Sequence, residues 1–219
     1  MKPYLVKMPN LIQAVFQHQT WRFSTEKKNI YLTFDDGPTP EITYWVLDVL
    51  KEYNAFATFF CIGKNIENHP AIFQKIIKNG HAVGNHTYEH LNGWKTSSEE
   101  YLKSVLKTEK LIDTFQNINS KHQTTSSKLF RPPYGKIKNS QTKVLVATNY
   151  NIVMWTVLSA DFDTTINAEK CLENVINNTE NGTIIVFHDS VKAFDKLKEV
   201  LPKILIYFGE KGYAFKKIG

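Results

Sequence analysis

The chain has 219 residues, 42% hydrophobic and 13% aromatic, enough for one compact domain with a sizeable core. Two domains would each be small, and no Pro/Gly/Ser-rich linker divides the sequence. The formal net charge of +6 comes from 27 Lys and Arg against 21 acidic residues. The basic residues are scattered along helix-like faces with no recognition motif behind them, which reads as a solvated surface and argues against a nucleic-acid partner.

Met1 to Phe23 lacks the basic start, continuous apolar stretch and small-residue cleavage site of a secretory signal. No apolar run approaches the length that spans a bilayer. The expectation is a cytoplasmic chain without a membrane span. The first strand is predicted at Ile30–Phe34 and leads into Asp35-Asp36-Gly37-Pro38. Two adjacent carboxylates at a strand end repel each other, which points to a cation nearby. An Asp-Gly-Pro turn accounts for one of them comfortably and for two poorly. A helix follows over Thr39–Tyr53, with Thr39 as cap residue and Pro40 in its first turn.

Phe56–Cys61 reads as a buried strand, and Lys64–Asn79 as a helix stopped by Gly80. Cys61 and Cys171, the latter in a helical pattern, give neither a disulfide framework nor a metal knuckle. The strand His81–Gly84 precedes His86-Thr87-Tyr88-Glu89-His90. A spacing of four is expected to place both imidazoles on one side of a helical turn, close enough to bind one ion. Glu does not directly follow the first His, so this is not the zincin arrangement.

A helix over Ser97–Phe115, with capping chemistry in Ser97-Ser98-Glu99-Glu100, is followed by an exposed polar loop over Asn117–Lys128. The strand Leu129–Arg131 ends in Arg131-Pro132-Pro133-Tyr134-Gly135. The prolines stiffen this turn and Gly135 permits unusual dihedrals, so backbone amides can be presented to an anion. Arg131 is placed for a two-pronged pair with a carboxylate such as Asp35. A rigid structural turn explains the same run equally well.

The remaining pattern is a helix over Asn139–Asn149, a strand over Ile152–Thr156, the run Ser159-Ala160-Asp161-Phe162, and a helix over Asn167–Asn178 stopped near Gly182. A strand over Thr183–Phe187 leads into His188-Asp189, then a helix over Val191–Phe208 and a strand over Tyr213–Lys217. An acid after a neighbouring strand, such as Asp161, can fix the tautomer of His188 and raise its basicity. A satisfied core histidine is the alternative. Seven strands alternating with six helices predict an α/β fold with a parallel sheet, better closed or nearly closed into a barrel than open. The residues that look chemical all follow strand ends, the face where such barrels build their sites.

These five motifs together resemble the polysaccharide deacetylase family, carbohydrate esterase family four, over residues 28–219. The Thr-Phe-Asp-Asp-Gly-Pro and His-Thr-x-x-His runs are the most specific. Residues 1–27 are left as an N-terminal extension that packs on the barrel or shapes a groove wall. The resemblance implies a single-domain distorted (β/α)7 barrel. It also implies one divalent ion, zinc before cobalt or nickel, held by Asp36, His86 and His90. Asp35 is then the general base, oriented by Arg131, and the backbone amide of Tyr134 helps hold the oxyanion. His188 is the general acid, tuned by Asp161. The implied reaction is removal of N-acetyl groups from an N-acetylated glycan of chitin-oligomer or peptidoglycan type, with release of acetate. An amidase or O-acetyl esterase acting on a small molecule or acetylated xylan, and a non-catalytic carbohydrate-binding protein, are the alternatives.

Three positions depart from the family pattern. Leu158 stands where the family often has an acid, Phe162 where it has Trp, and Val186 where it has Leu. In relatives these positions line the pocket for the acetyl methyl, so they bear on acyl and substrate preference. Trp94 is read either as a stacking face for a sugar ring or as core filling. The implied glycans lie outside the cytoplasm, in tension with the missing signal, and the sequence gives no oligomeric state.

Overall fold

The computed structural model of the protein describes residues 4–119 and 128–219. In chain order it contains α1 (Asn10–Val15), β1 (Gln19–Thr20), β2 (Asn29–Asp35), α2 (Ile42–Glu52), β3 (Ala57–Cys61), α3 (Gly63–Asn68), α4 (Pro70–Lys78), β4 (Ala82–Asn85), α5 (Ser98–Asn119) and β5 (Lys128–Phe130). There follow α6 (Asn139–Ala147), β6 (Tyr150–Val153), β7 (Val157–Leu158), α7 (Ala168–Ile176), β8 (Ile184–His188), α8 (Phe194–Glu210) and β9 (Ala214–Phe215). The sheet runs β1-β6-β5-β4-β3-β2-β8-β7, with β9 paired to β2. Every one of these strand pairs is parallel.

The strand predicted over Ile152–Thr156 is the one that changes most, because the stretch kinks and serves both ends of the sheet. Its first part, β6, lies beside β5, while Thr156 N–H reaches Ile184 O at 3.0 Å and β7 continues along β8. Residues 150–158 therefore close the curl, and the result is a distorted barrel. The N-terminal segment lies along this same stretch. β1 pairs with β6, Met8 N–H donates to Thr156 O at 2.8 Å, and Leu158 N–H donates to Val6 O at 2.8 Å.

Alternation along the strands sorts side chains into two layers. Leu32 and Phe34 of β2, Phe59 of β3 and Ile185 and Phe187 of β8 pack outward against Val46, Leu47 and Leu50 of α2 and Leu197, Leu201 and Ile204 of α8. Phe60, Leu129, Val153 and Ile184 form a separate cluster inside the curl. Two residues further along β2 and β8, the inward positions become Thr33, Asp35, Val186 and His188, paired in register as Thr33 with Val186 and Asp35 with His188. The floor of the barrel is thus apolar and its mouth polar.

Several boundaries differ from expectation for identifiable reasons. The helix predicted over Lys64–Asn79 is two helices, broken at His69, because Pro70 at the first helical position has no N–H to continue the ladder. α2 starts at Ile42, because Glu41 has φ 63° and cannot extend a helix backward to Thr39. α5 runs on to Asn119, so the start of the polar stretch is helical, while positions 120–127 lie outside the described residues. Ser97 Oγ caps α5 by accepting Glu100 N–H at 3.2 Å, and Asn167 Oδ1 caps α7 by accepting Lys170 N–H at 2.9 Å. Cys61 and Cys171 are both buried and unpaired. Among the described residues no helix is long and apolar enough to cross a membrane.

Candidate metal centre and active site

Among the described residues eight non-glycine residues have positive φ, and five of them, Asp36, Thr87, His90, Tyr134 and Ala160, lie in loops after β2, β4, β5 and β7 at the mouth of the barrel. This conformation is costly for residues with a Cβ, so its concentration on one face marks those loops as shaped for the side chains they present.

The histidine pair comes together by a different route from the one its spacing suggests. Thr87 and His90 have φ 61° and 56°, which no helical turn accommodates. The loop is pinned instead by neighbouring side chains. Asn85 Oδ1 accepts Thr87 N–H at 2.9 Å, Ser104 Oγ accepts Tyr88 N–H at 2.8 Å, and Thr87 Oγ1 accepts Leu91 N–H at 3.0 Å. The two imidazole centroids end 5.0 Å apart.

His86 Nε2 lies 3.7 Å and His90 Nε2 3.2 Å from Asp36 Oδ1, and one donor atom from each of the three residues falls within 4.8 Å of the others. Asp36 Oδ1 is buried without a hydrogen-bond partner. His86 Nδ1 is 2.7 Å from Arg131 O, so it carries the proton and Nε2 presents a lone pair. Burial, followed by the neighbouring His90, pulls the His86 pKa down to about 3, and burial likewise lowers that of His90. A carboxylate oxygen and two imidazoles whose charged forms burial disfavours thus converge, an arrangement that fits a small cation. The donor set of two nitrogens and one oxygen suits zinc, with cobalt and nickel compatible.

Asp35 is not among the three residues of this cluster. Its Oδ1 is 2.7 Å from Arg131 Nη1, and Arg131 is completely buried. The guanidinium does not make the expected two-pronged pair. Nη1 also reaches Thr33 Oγ1 at 2.6 Å, while Nη2 donates to Met154 O at 2.8 Å and Nε to Val153 O at 3.1 Å. The kink after β6 turns these two carbonyls toward Arg131 and takes the second prong. Arg131 also lies over the Phe60 ring at 4.2 Å, so cation and aromatic fill the barrel together.

Across the mouth, His188 Nδ1 is 2.7 Å from Asp161 Oδ1, and Asp161 Oδ2 accepts the His188 backbone N–H at 2.7 Å. Asp161 is fully buried. Burial lowers the His188 pKa, but Asp161 overcomes it by charge and hydrogen bond, with help from Asp36 and Asp35, and raises it to about 9. The Phe162 ring stands edge-on to His188 at 5.1 Å. Val186 is only 1% exposed, so it forms floor beneath His188 rather than open wall. In the Arg131 turn, hydrogen bonds run from Gly135 N–H to Pro132 O and from Lys136 N–H to Pro133 O, leaving the Tyr134 N–H outside the turn's own bonding. Tyr134 Oη lies 3.0 Å from His90 Nδ1. Trp94 is 60% exposed, which excludes core filling, and its Nε1 is fixed by Ile137 O at 3.1 Å.

A family model described as polysaccharide deacetylase matches residues 23–153. The chain belongs to the polysaccharide deacetylase family. A peptidoglycan-N-acetylglucosamine deacetylase of Bacillus cereus is 37% identical over 179 residues, which cover 78% of this chain and 62% of that protein. The chain therefore spans less than two thirds of that relative's length. A second protein of that name from Bacillus cereus is 32% identical over 197 residues, 90% of this chain and 89% of its own. The solved structure of the Bc1960 peptidoglycan N-acetylglucosamine deacetylase, in complex with 4-naphthalen-1-yl-N-oxidanyl-benzamide, gives a TM-score of 0.85 at 33% identity over 94% of both chains.

One residue of this polysaccharide deacetylase site is absent from the sequence reasoning. Asp189 is fully buried, and its carboxylate accepts Gly37 N–H at 3.1 Å and the Thr43 hydroxyl at 2.5 Å. Its own N–H donates to Asp35 O at 3.1 Å. A Cβ on Gly37 would stand 2.0 Å from Asp189 Oδ2, so the turn that presents Asp36 is built around this carboxylate. Burial pushes the Asp189 carboxyl up to about 8 despite the Thr43 donor. The available signal was the acid directly after His188. Asp189→Ala leaves the Gly37 N–H and Thr43 hydroxyl without their acceptor and is expected to cost about 2–4 kcal/mol. Asp189→Asn keeps an acceptor for Gly37 and is expected to cost less. Urea unfolding of both variants checks this, and equal losses would remove the clamp.

Proposed function

We propose that the protein is a metal-dependent hydrolase that removes N-acetyl groups from a glycan of peptidoglycan or chitin-oligomer type and releases acetate. The observation that carries the reading is the cluster of Asp36, His86 and His90, whose ligand atoms lie within 4.8 Å of one another around an Asp36 Oδ1 that has no hydrogen-bond partner. Asp35 and His188 flank it on register-paired positions of β2 and β8. The named relatives, both peptidoglycan-N-acetylglucosamine deacetylases, support the choice of substrate class.

A divalent ion on these three residues supplies Lewis-acid polarisation of the acetamide carbonyl and lowers the pKa of water. The remaining chemistry belongs to the chain. Arg131 occupies one oxygen of Asp35 and leaves the other to take the water proton as the water oxygen bonds to the carbonyl carbon. The Tyr134 N–H is the donor for the charge that develops on the carbonyl oxygen. With Nδ1 committed to Asp161, His188 has Nε2 to protonate the departing sugar amine as the carbon–nitrogen bond breaks. The products are acetate and a free amine, with no covalent intermediate. Trp94 offers a fixed, exposed ring on which a neighbouring sugar stacks.

The test is acetate release from chitin oligomers, peptidoglycan fragments and acetylated xylan, with chelator and with zinc restored. Release from an N-acetylated glycan, abolished by chelator and recovered with zinc, is expected, and Trp94→Ala is expected to raise KM more than it lowers kcat. Release from xylan alone shifts the reading to an O-acetyl esterase. No release from any substrate by zinc-loaded protein overturns it.

A further inference from the structure

The N-terminal segment reaches the site through one side chain. Tyr4 precedes the region matched by the family model, yet its hydroxyl donates to Asp163 Oδ2 at 2.7 Å and its ring stands edge-on to Phe162 at 5.7 Å. Phe162 in turn stands edge-on to His188 at 5.1 Å. Each end of this relay is anchored. The Val6 and Met8 backbone bonds fix the segment to residues 156–158, and Lys7 pairs with Glu180. Asp163 Oδ1 accepts both the Thr165 N–H at 2.9 Å and the Thr165 hydroxyl at 2.7 Å, which holds the carboxylate in one orientation. On the solvent side Lys192 Nζ lies 5.9 Å from the Phe162 ring centroid.

We propose that Tyr4 is a positioning residue of the site: it braces Phe162 against His188, and so sets the orientation of the imidazole and the size of the acyl group accepted beside it. The physical reason lies in the position of Phe162, whose two ring contacts are Tyr4 on one side and His188 on the other. Its ring is partly exposed and follows Ala160 with φ 62°, in a bend whose local bond is Asp163 N–H to Ala160 O at 3.0 Å. An edge-on partner favours one orientation of a partly exposed ring over the others. Tyr4 is that partner, and its hydroxyl bond to Asp163 holds its own ring in place. Because the segment is tied to the closing stretch of the barrel, the brace is as rigid as the sheet itself. The inference rests on the proposed deacetylation for its specificity consequence but not for the packing it describes.

The experiment compares wild type with Tyr4→Phe, Tyr4→Ala and Asp163→Ala as zinc-loaded proteins of all 219 residues. It measures kcat and KM on N-acetyl and N-propionyl chitooligosaccharides, and the His188 ring signals in 1H–13C spectra. Tyr4→Ala is expected to lower kcat on the acetyl substrate by about tenfold with KM little changed, as a small misplacement of a reacting group does. The propionyl-to-acetyl rate ratio rises, zinc content is unchanged, and the His188 signals shift because the Phe162 ring no longer holds its place. Tyr4→Phe keeps the ring but loses the hydroxyl bond that holds it, so Tyr4→Phe and Asp163→Ala both fall between wild type and Tyr4→Ala. Unchanged rates, rate ratio and His188 signals in a folded Tyr4→Ala protein overturn the brace. If wild type hydrolyses neither substrate, the deacetylase reading fails, while the His188 signals still decide the packing. Should Tyr4→Ala not fold, the same readouts in Asp163→Ala decide it, and no change there overturns the proposal.

Discussion

Asp35→Asn is expected to keep a full complement of zinc and to lose about three orders of magnitude in kcat, the span a positioned general base supplies. Asp36→Ala is expected to lose the metal itself. The two residues are adjacent, and the backbone separates their tasks. Asp36, with φ 80°, turns its carboxylate toward His86 and His90, while Asp35 remains on the inward face of β2 against Arg131. Asp35→Asn carries a second consequence. The Arg131 guanidinium, completely buried, keeps its neutral acceptors on Thr33, Val153 and Met154 but loses the anionic one that Asp35 supplies. Leaving a buried charge unpaired costs about 3–5 kcal/mol in the limit, and the three retained acceptors hold the loss below that. Metal analysis, turnover and thermal unfolding of both purified variants separate these effects. Stoichiometric zinc in Asp36→Ala would end its assignment as a ligand, and wild-type turnover by Asp35→Asn would end the base.

What could be read ahead of the structure follows from how local each feature is. The strands were legible because β3, β8 and the second half of β2 are buried on both faces and spell mostly apolar runs. The motifs were legible because each closes one of those runs. The histidine loop shows the limit. Its residues were identified, but the spacing of four suggested a helical turn, whereas two left-handed residues and bonds from Asn85 and Ser104 create the geometry. Those partners carry no signature of their own. The same holds for the second prong of Arg131, diverted by two carbonyls from a kink that reads in sequence as uninterrupted strand. Asp189 and Tyr4 went unread for the same reason. Each acts through a contact more than a hundred residues away, and such contacts leave no periodicity behind.

Asp161→Asn is expected to move the alkaline limb of the activity profile to lower pH and to reduce turnover at about pH 8 by 10- to 100-fold, within the range of general-acid effects. His188 must be protonated to deliver its proton. Burial alone disfavours the imidazolium, and Asp161 is the main reason that the pKa is nevertheless raised to about 9. The native protein therefore holds the acid form through neutral pH and loses it as pH rises toward that value, sooner when a cation offsets the share due to Asp36. An Asn side chain has one acceptor where Asp161 uses two, for Nδ1 and for the His188 backbone N–H, and it carries no charge. Burial then prevails, and the acid form is lost earlier. The same linkage fixes the sign of a stability test. A folded pKa above the unfolded value of about 6.5 means that the Asp161–His188 pair contributes fully below that pH and loses its contribution as pH rises through about 9. The gap in melting temperature between wild type and Asp161→Asn should accordingly be widest near pH 6 and shrink toward pH 10. Melting curves that stay parallel across that interval would show that His188 is not held protonated by Asp161, and the general-acid role would then need another residue.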